Sequence, residues 1–224
     1  MGIVRIAIDG PAGAGKSTIA KALAKELGID YIDTGAMYRA IGLKIVRSGI
    51  DMHDPKALGE LLENTDVDYE AGKTYLDGED VSDLIRTPKI SAAASECSAI
   101  LEVRQKLVAL QRAMGLRKSM VMDGRDIGTN VLTDAEYKFY LTASPEIRAM
   151  RRVKELREKG EACDFEEIRA SIIARDYQDS HREHNPLRKA EDAIEIDSSE
   201  LTIAQVIDAF TAYIDTDELK EQKD

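Results

Sequence analysis

The sequence predicts an α/β fold in which a parallel sheet is flanked by helices. Three observations carry that prediction. Short β-branched, apolar segments alternate with amphipathic helical stretches near both ends of the chain, the pattern of parallel strands joined by helical crossovers. A glycine-rich segment, Gly10–Ser17, stands between the first strand and the first helix. A central block of different texture interrupts the alternation and reads as a lobe inserted between core strands.

Taken in order, Ile3–Ile8 is β-branched and apolar and stops at Asp9-Gly10, as a buried parallel strand does. Gly10–Gly15 is a loop. From Lys16 to Leu27 the apolar residues Ile19, Ala20, Leu23, Ala24 and Leu27 fall at helical spacing, and Gly28 caps the end. Tyr31–Asp33 is a short second strand. Thr34 then caps a helix running through Val46, with Met37, Ile41 and Ile45 on one side. Tyr38 reads as core, and the methionines as gap-fillers. In the central block Pro55–Glu63 is helical. Val67–Tyr69 and Thr74–Leu76 alternate about Ala71-Gly72-Lys73 as a small hairpin. Pro88 opens a long helical stretch to Met114, with a break expected near Ile100. The core pattern resumes with strands at Ser119–Met122 and Tyr137–Leu141, followed by charged helices at Pro145–Lys159 and Phe165–Glu183. A last strand at Ala193–Ile196 and an amphipathic helix at Thr202–Ile214 complete it, and the polar Thr216–Asp224 is expected to fray.

Charge narrows the classes of function. Lys and Arg total 31 against 42 Asp and Glu, a formal charge of −11 over 224 residues. Nonspecific nucleic-acid or anionic-membrane binding needs a basic face, so neither partner is expected. A nucleotide would meet a repulsive body, so any nucleotide site must be a local cationic pocket. Cys97 and Cys163 have no CxxC spacing and read as incidental thiols of a reduced, cytoplasmic chain. His53, His181 and His184 form no zinc motif. No signal peptide or membrane-length apolar run is apparent, and Met1-Gly2 is followed by Ile6 where myristoylation favours Ser or Thr. No heptad or exposed apolar stripe stands out, so a monomer is expected.

The most specific local signal is Gly10-Pro11-Ala12-Gly13-Ala14-Gly15-Lys16-Ser17, followed by Thr18. It fits G-x-x-x-x-G-K-[ST] with a strand before and a helix after, the context that motif requires. Glycines let the backbone turn its N–H groups inward toward phosphates. The helix beginning near Lys16 adds its positive end. Lys16 is placed to bridge the β- and γ-phosphates of ATP, and the Ser17 hydroxyl to ligate Mg²⁺. The motif alone does not separate a kinase from a GTPase, an ATPase or a nucleotide-gated switch.

Three further segments gather cations and polar groups: Asp33-Thr-Gly-Ala-Met-Tyr-Arg39, Asp123-Gly-Arg-Asp-Ile-Gly-Thr129 and Arg175-Asp-Tyr-Gln-Asp-Ser-His-Arg182. Two of them follow predicted strands directly, where open α/β sheets bind ligands. With GPAGAGKST, these segments resemble bacterial cytidylate kinases (CMP/dCMP kinases) over nearly the whole chain. The resemblance implies a P-loop NTPase core of residues 1–34 and 117–224, a helical lid at about 150–188 within it, and a nucleoside-monophosphate-binding region at 35–116. It implies transfer of the γ-phosphoryl of ATP to CMP or dCMP, with Mg²⁺. It also implies roles: Thr34, Arg39 and Arg125 at the acceptor phosphate; Ser95, Arg104 and Asp126 around the cytosine; Arg175, Asp179 and Arg182 along ribose and phosphate, with Lys16, Arg125, Arg175 and Arg182 acting on the transferring group.

Physical chemistry fits several of these roles. A carboxylate such as Asp126 accepts from the cytosine N4 amino group, whereas uracil would set its O4 against the same lone pairs. On a helix, Arg175, Asp179 and Arg182 fall at i, i+4 and i+7 and would share one face. Gln178 departs from the family, which often carries arginine there. Arg148, Arg151 or Arg152 on the preceding helix are the candidates to make up that charge. Two other readings stay open at this stage: a P-loop kinase for another monophosphate or for a metabolite such as shikimate, and a nucleotide-driven switch with slow hydrolysis.

Overall fold

The structure, a computed structural model, describes residues 3–215. The Met1-Gly2 start and the Thr216–Asp224 tail expected to fray lie outside the described residues. Along the chain run β1 (Arg5–Asp9), α1 (Lys16–Leu27), β2 (Asp30–Asp33), α2 (Thr34–Ser48), α3 (Pro55–Glu63), β3 (Val67–Glu70), β4 (Lys73–Leu76), β5 (Glu79–Asp80), α4 (Pro88–Cys97) and α5 (Leu101–Gly115). Then follow β6 (Met120–Asp123), β7 (Tyr137–Thr142), α6 (Pro145–Glu158), α7 (Phe165–His181), β8 (Ile194–Asp197) and α8 (Ile203–Thr211). The chain divides into two compact units, one of residues up to Ile29 and from Ser119 onward, the other Asp30–Lys118.

In the first unit the strands lie in the order β6-β1-β7-β8, all parallel. Ile6 sits opposite both Val121 and Tyr137. Strands covered by helices on both faces have no solvated side, which is why Ile6, Ala7 and Ile8 are consecutive apolar residues and all are buried. Phe139 on β7 meets Phe210 on α8 with ring centroids 4.2 Å apart. Burial of aromatic side chains of this size stabilises by about 2–3 kcal/mol each. Because the strands are parallel, their carboxyl ends gather at one edge. β1 there runs into Gly10 and β6 into Gly124-Arg125-Asp126.

The second unit packs α2 against α4. Gly42 makes the approach possible, since a Cβ there would lie 2.9 Å from the Ala94 nitrogen. β3, β4 and β5 form an antiparallel meander. Val67, Tyr69 and Leu76 are buried while Asp68, Glu70 and Lys73 are exposed, the period-two alternation of a half-buried sheet. Ala71 and Gly72 both have positive φ, 50° and 79°, which matches the twist of a two-residue hairpin turn. The third strand, β5, escapes sequence reading because its two residues, Glu79 and Asp80, are polar and exposed. The long helical stretch does break: α4 ends at Cys97 and Ile100 is extended before α5.

One boundary needs correction. Thr34 does not cap α2; Asp33 does, its carboxylate accepting the Ala36 N–H at 2.8 Å. Thr34 is the first helical residue and buried. Both residue types cap well, but the Asp33 carboxylate also carries full charge at the positive end of the helix.

Candidate active site

The phosphate cradle is shaped by its glycines. Gly10 has φ 147°, and a Cβ there would lie 2.0 Å from the Leu141 carbonyl oxygen, so only glycine fits between β1 and β7. Gly15, with φ 94°, turns the chain into α1, whose N-terminus has no side-chain cap. Its first N–H groups are therefore left for an anion. Lys16 is 5% exposed and donates to the Pro11 carbonyl at 2.8 Å. Burial, then the Arg125 charge, pulls its ammonium down to about 7, against Asp123 and Asp9. Ser17 donates its hydroxyl to Asp123 Oδ2 at 2.9 Å. A hydroxyl and a carboxylate side by side make a hard-oxygen donor set of the kind Mg²⁺ takes.

The same edge carries the acceptor-side residues of the first unit, already joined in ion pairs. Arg125 donates through Nε to Asp179 Oδ2 at 2.8 Å. Burial pushes the Asp179 carboxyl up, but Arg125, with Arg175 and Arg182 behind it, outweighs that and holds it below its ordinary range. Arg182 donates to Asp126 Oδ1 at 2.9 Å, and Asn130 to Asp126 Oδ2 at 3.0 Å. Both side chains of the Arg182–Asp126 pair are 7% exposed.

The shared helical face expected for Arg175, Asp179 and Arg182 is not found. α7 ends at His181, and Arg182 is extended, with φ −63° and ψ 145°. Its Nε donates to the Asn185 carbonyl at 2.7 Å while its Nη2 donates to Asp126. Arg175 is exposed and Asp179 buried.

The candidates for replacing the missing lid cation differ sharply. Arg148, 3% exposed, spends its guanidinium on structure: Nε to the Ala143 carbonyl, Nη1 to the Ala12 carbonyl of the cradle, and a two-pronged pair with Asp176 on α7 at 2.9 and 2.6 Å. Arg151 donates to the Ser198 carbonyl at 2.6 Å, and Arg152 pairs with exposed Glu155. Sequence reading missed Arg148 as an anchor of the cradle, and it missed Asp123 beside Ser17 and Asp9 behind Ile127. A charged stretch such as Pro145–Arg152 reads as a solvated face. Only burial marks the exception.

Thr34, Arg39, Ser95 and Arg104 belong to the second unit. Thr34 is buried on α2. Arg39 reaches Asp33 at 3.3 Å, and its Nε is buried with no hydrogen-bond partner among the described residues. Ser95 is half-buried on α4. Arg104, 1% exposed, donates to the Ser98 carbonyl at 3.3 Å. Tyr38, read as core, is half-buried. Among the described residues no three His, Cys, Asp or Glu cluster as a metal site, and no helix is long and apolar enough to cross a membrane.

Comparison with known proteins gives the family and the fold. The sequence model of the cytidylate kinase family matches residues 6–216. A cytidylate kinase of Clostridium acetobutylicum is 54% identical over 94% of this chain and 97% of its own. One of Clostridioides difficile is 50% identical over 96% and 99%. A crystal structure of an uncharacterized protein from Eubacterium ventriosum has a TM-score of 0.53 at 15% identity, covering 96% of this chain and 99% of that one, a likeness of fold alone.

Proposed function

We propose a residue-level mechanism from one premise: the chain belongs to the cytidylate kinase family and is an ATP-dependent nucleoside monophosphate kinase, transferring the γ-phosphoryl of ATP to CMP or dCMP. The observation that carries the mechanism is the clustering, within the first unit, of Lys16, Arg125, Asp179, Arg182 and Asp126 beside the glycine cradle.

Gly10–Thr18 hold the donor phosphates through backbone N–H groups, and Lys16 leaves the Pro11 carbonyl for the β- and γ-phosphates. Arg125, Arg175 and Arg182 neutralise charge spread over the transferring group. Ser17 and Asp123 are the residues that would hold Mg²⁺, which neutralises phosphate charge when bound. An acceptor phosphate with a second pKa of about 6 is already a nucleophile at neutral pH, so no general base is required. Asp126 accepts from the cytosine amino group, and Arg182, its present partner, is released toward phosphate. Asp179 is assigned to the ribose. We assign Thr34 and Arg39 to the acceptor phosphate and Ser95 and Arg104 to the base. Closure of the lid helices α6 and α7 excludes water that would otherwise take the phosphoryl group. The enzyme acts in the cytoplasm as a monomer.

Coupled ADP release measured across CMP, dCMP, UMP, AMP and GMP tests the reading. Fast turnover with CMP and dCMP is expected. Equal rates with purine monophosphates, or ADP release that needs no acceptor, would overturn it.

A further inference from the structure

Asp9 has no part in the mechanism above, yet it is an ionisable side chain only 4% exposed at the end of β1. Its two carboxylate oxygens are both committed. Oδ1 accepts the Ile127 N–H and Oδ2 the Gly128 N–H, each at 2.8 Å. These are the two peptide groups directly after Asp126. Asp126 itself holds φ −146° and ψ 32°, outside the regular helix and strand regions, and opens a single wide turn over Ile127–Val131. Such a conformation persists only where its surroundings fix it. Asn130 and Arg182 hold the Asp126 side chain, the Asn130 and Val131 N–H groups hold its carbonyl, and Asp9 holds the two amides that follow it.

We infer that Asp9 is a positioning residue for base selectivity: by clamping the Ile127 and Gly128 amides it sets the direction in which Asp126 presents its carboxylate to the pyrimidine. The inference rests on the reading of Asp126 as the base-reading group. Because Asp9 immediately precedes Gly10, one residue joins the donor cradle to the base reader. Burial raises the Asp9 carboxyl to about 6, against the pull of the two amides and of Lys16. Keeping a charge there is costly, and the two amides supply the compensation. A cheaper neutral side chain would leave one or both N–H groups without an acceptor.

The clamp can be loosened from either side. Asp9→Asn keeps one acceptor and sets its amide donor against the second N–H. Gly128→Ala introduces a methyl 3.5 Å from Asp9 Oδ2 and 3.3 Å from Lys138 Cδ, so the flexible Lys138 side chain gives by a few tenths of an ångström and the methyl crowds the Asp9 carboxylate. Each variant is assayed with CMP and UMP beside Asp126→Asn. Asp9→Asn is expected to lower the CMP-to-UMP ratio of kcat/KM by about tenfold, and Gly128→Ala to lower it by less. A purely structural role would lower both substrates equally and leave the ratio in place, and that result overturns the inference. If Asp9→Asn fails to fold, Gly128→Ala decides. An unchanged ratio in Asp126→Asn removes the base-reading role instead, whereas a fall there with an unchanged ratio in both clamp variants removes only the role of Asp9.

Discussion

The phosphate cradle and the lid-side network both meet a multiply charged ligand, and they prepare for it differently. In the cradle the positive charge is held in reserve: Lys16 is buried on a neutral carbonyl, and the N-terminus of α1 has no side-chain cap. On the lid side three cations already have an anion, Arg125 with Asp179, Arg182 with Asp126, Arg148 with Asp176. The cradle therefore gains from a phosphate almost without competition. The lid side must exchange one partner for another, so its net gain is smaller and its discrimination is greater.

This contrast can be broken at several points. Lys16→Ala should cut turnover by about a thousandfold with the far-ultraviolet dichroism unchanged. Near-normal turnover would mean the reserved charge is not the one used. Arg148→Ala should destabilise the protein by about 3 kcal/mol in urea unfolding, since it strands Asp176 and frees the Ala12 carbonyl. A neutral result would show that the cradle keeps its shape without this anchor. Asp126→Ala should reduce CMP-over-UMP selectivity by about tenfold or more. Selectivity left intact would locate base reading elsewhere.

The pH dependence sharpens the comparison further. Lys16 titrates near 7 when folded and free of ligand, well below its usual 10.5. Between those values the unfolded chain binds the extra proton, so this group makes stability rise with pH across that window. Bound triphosphate would restore the proton. ATP binding should thus take up protons above about pH 7, read by calorimetry in buffers of different ionisation heat, and Lys16→Met should abolish the uptake. The smallest effect is expected from Gln178→Arg. Gln178 is exposed on α7, and the added charge should change kcat by less than about threefold.

Sequence reading reached the cradle because its requirements are local: glycines at fixed offsets, a strand before and a helix after. It reached the segments around Asp33, Asp123 and Arg175 because two of them begin where strands end. It did not reach what depends on which of two neighbours a fold selects. Asp33 and Thr34 are both competent caps, and only geometry awards the role to Asp33. Arg182 continues the helical spacing of Arg175 and Asp179, but the helix stops at His181 and Arg182, in extended backbone, bonds Asn185 and Asp126 instead. Asp9, Asp123 and Arg148 act through partners more than 100 positions away, apart from the Arg148 links to Ala143 and Asp176, and no pattern along the chain announces such pairings.

The tight turn between β3 and β4 offers a fastening point for a reporter dye. Glu70, beside it, is exposed, and a side chain added at the tip would meet nothing within 4 Å. The native thiols interfere little: Cys97 is buried and its thiol pushed up to about 12, out of reach of alkylating reagents, and half-buried Cys163 can be replaced by serine. A Glu70→Cys, Cys163→Ser protein would carry one fluorophore at one known place on the small sheet, and its emission could follow nucleotide addition in real time.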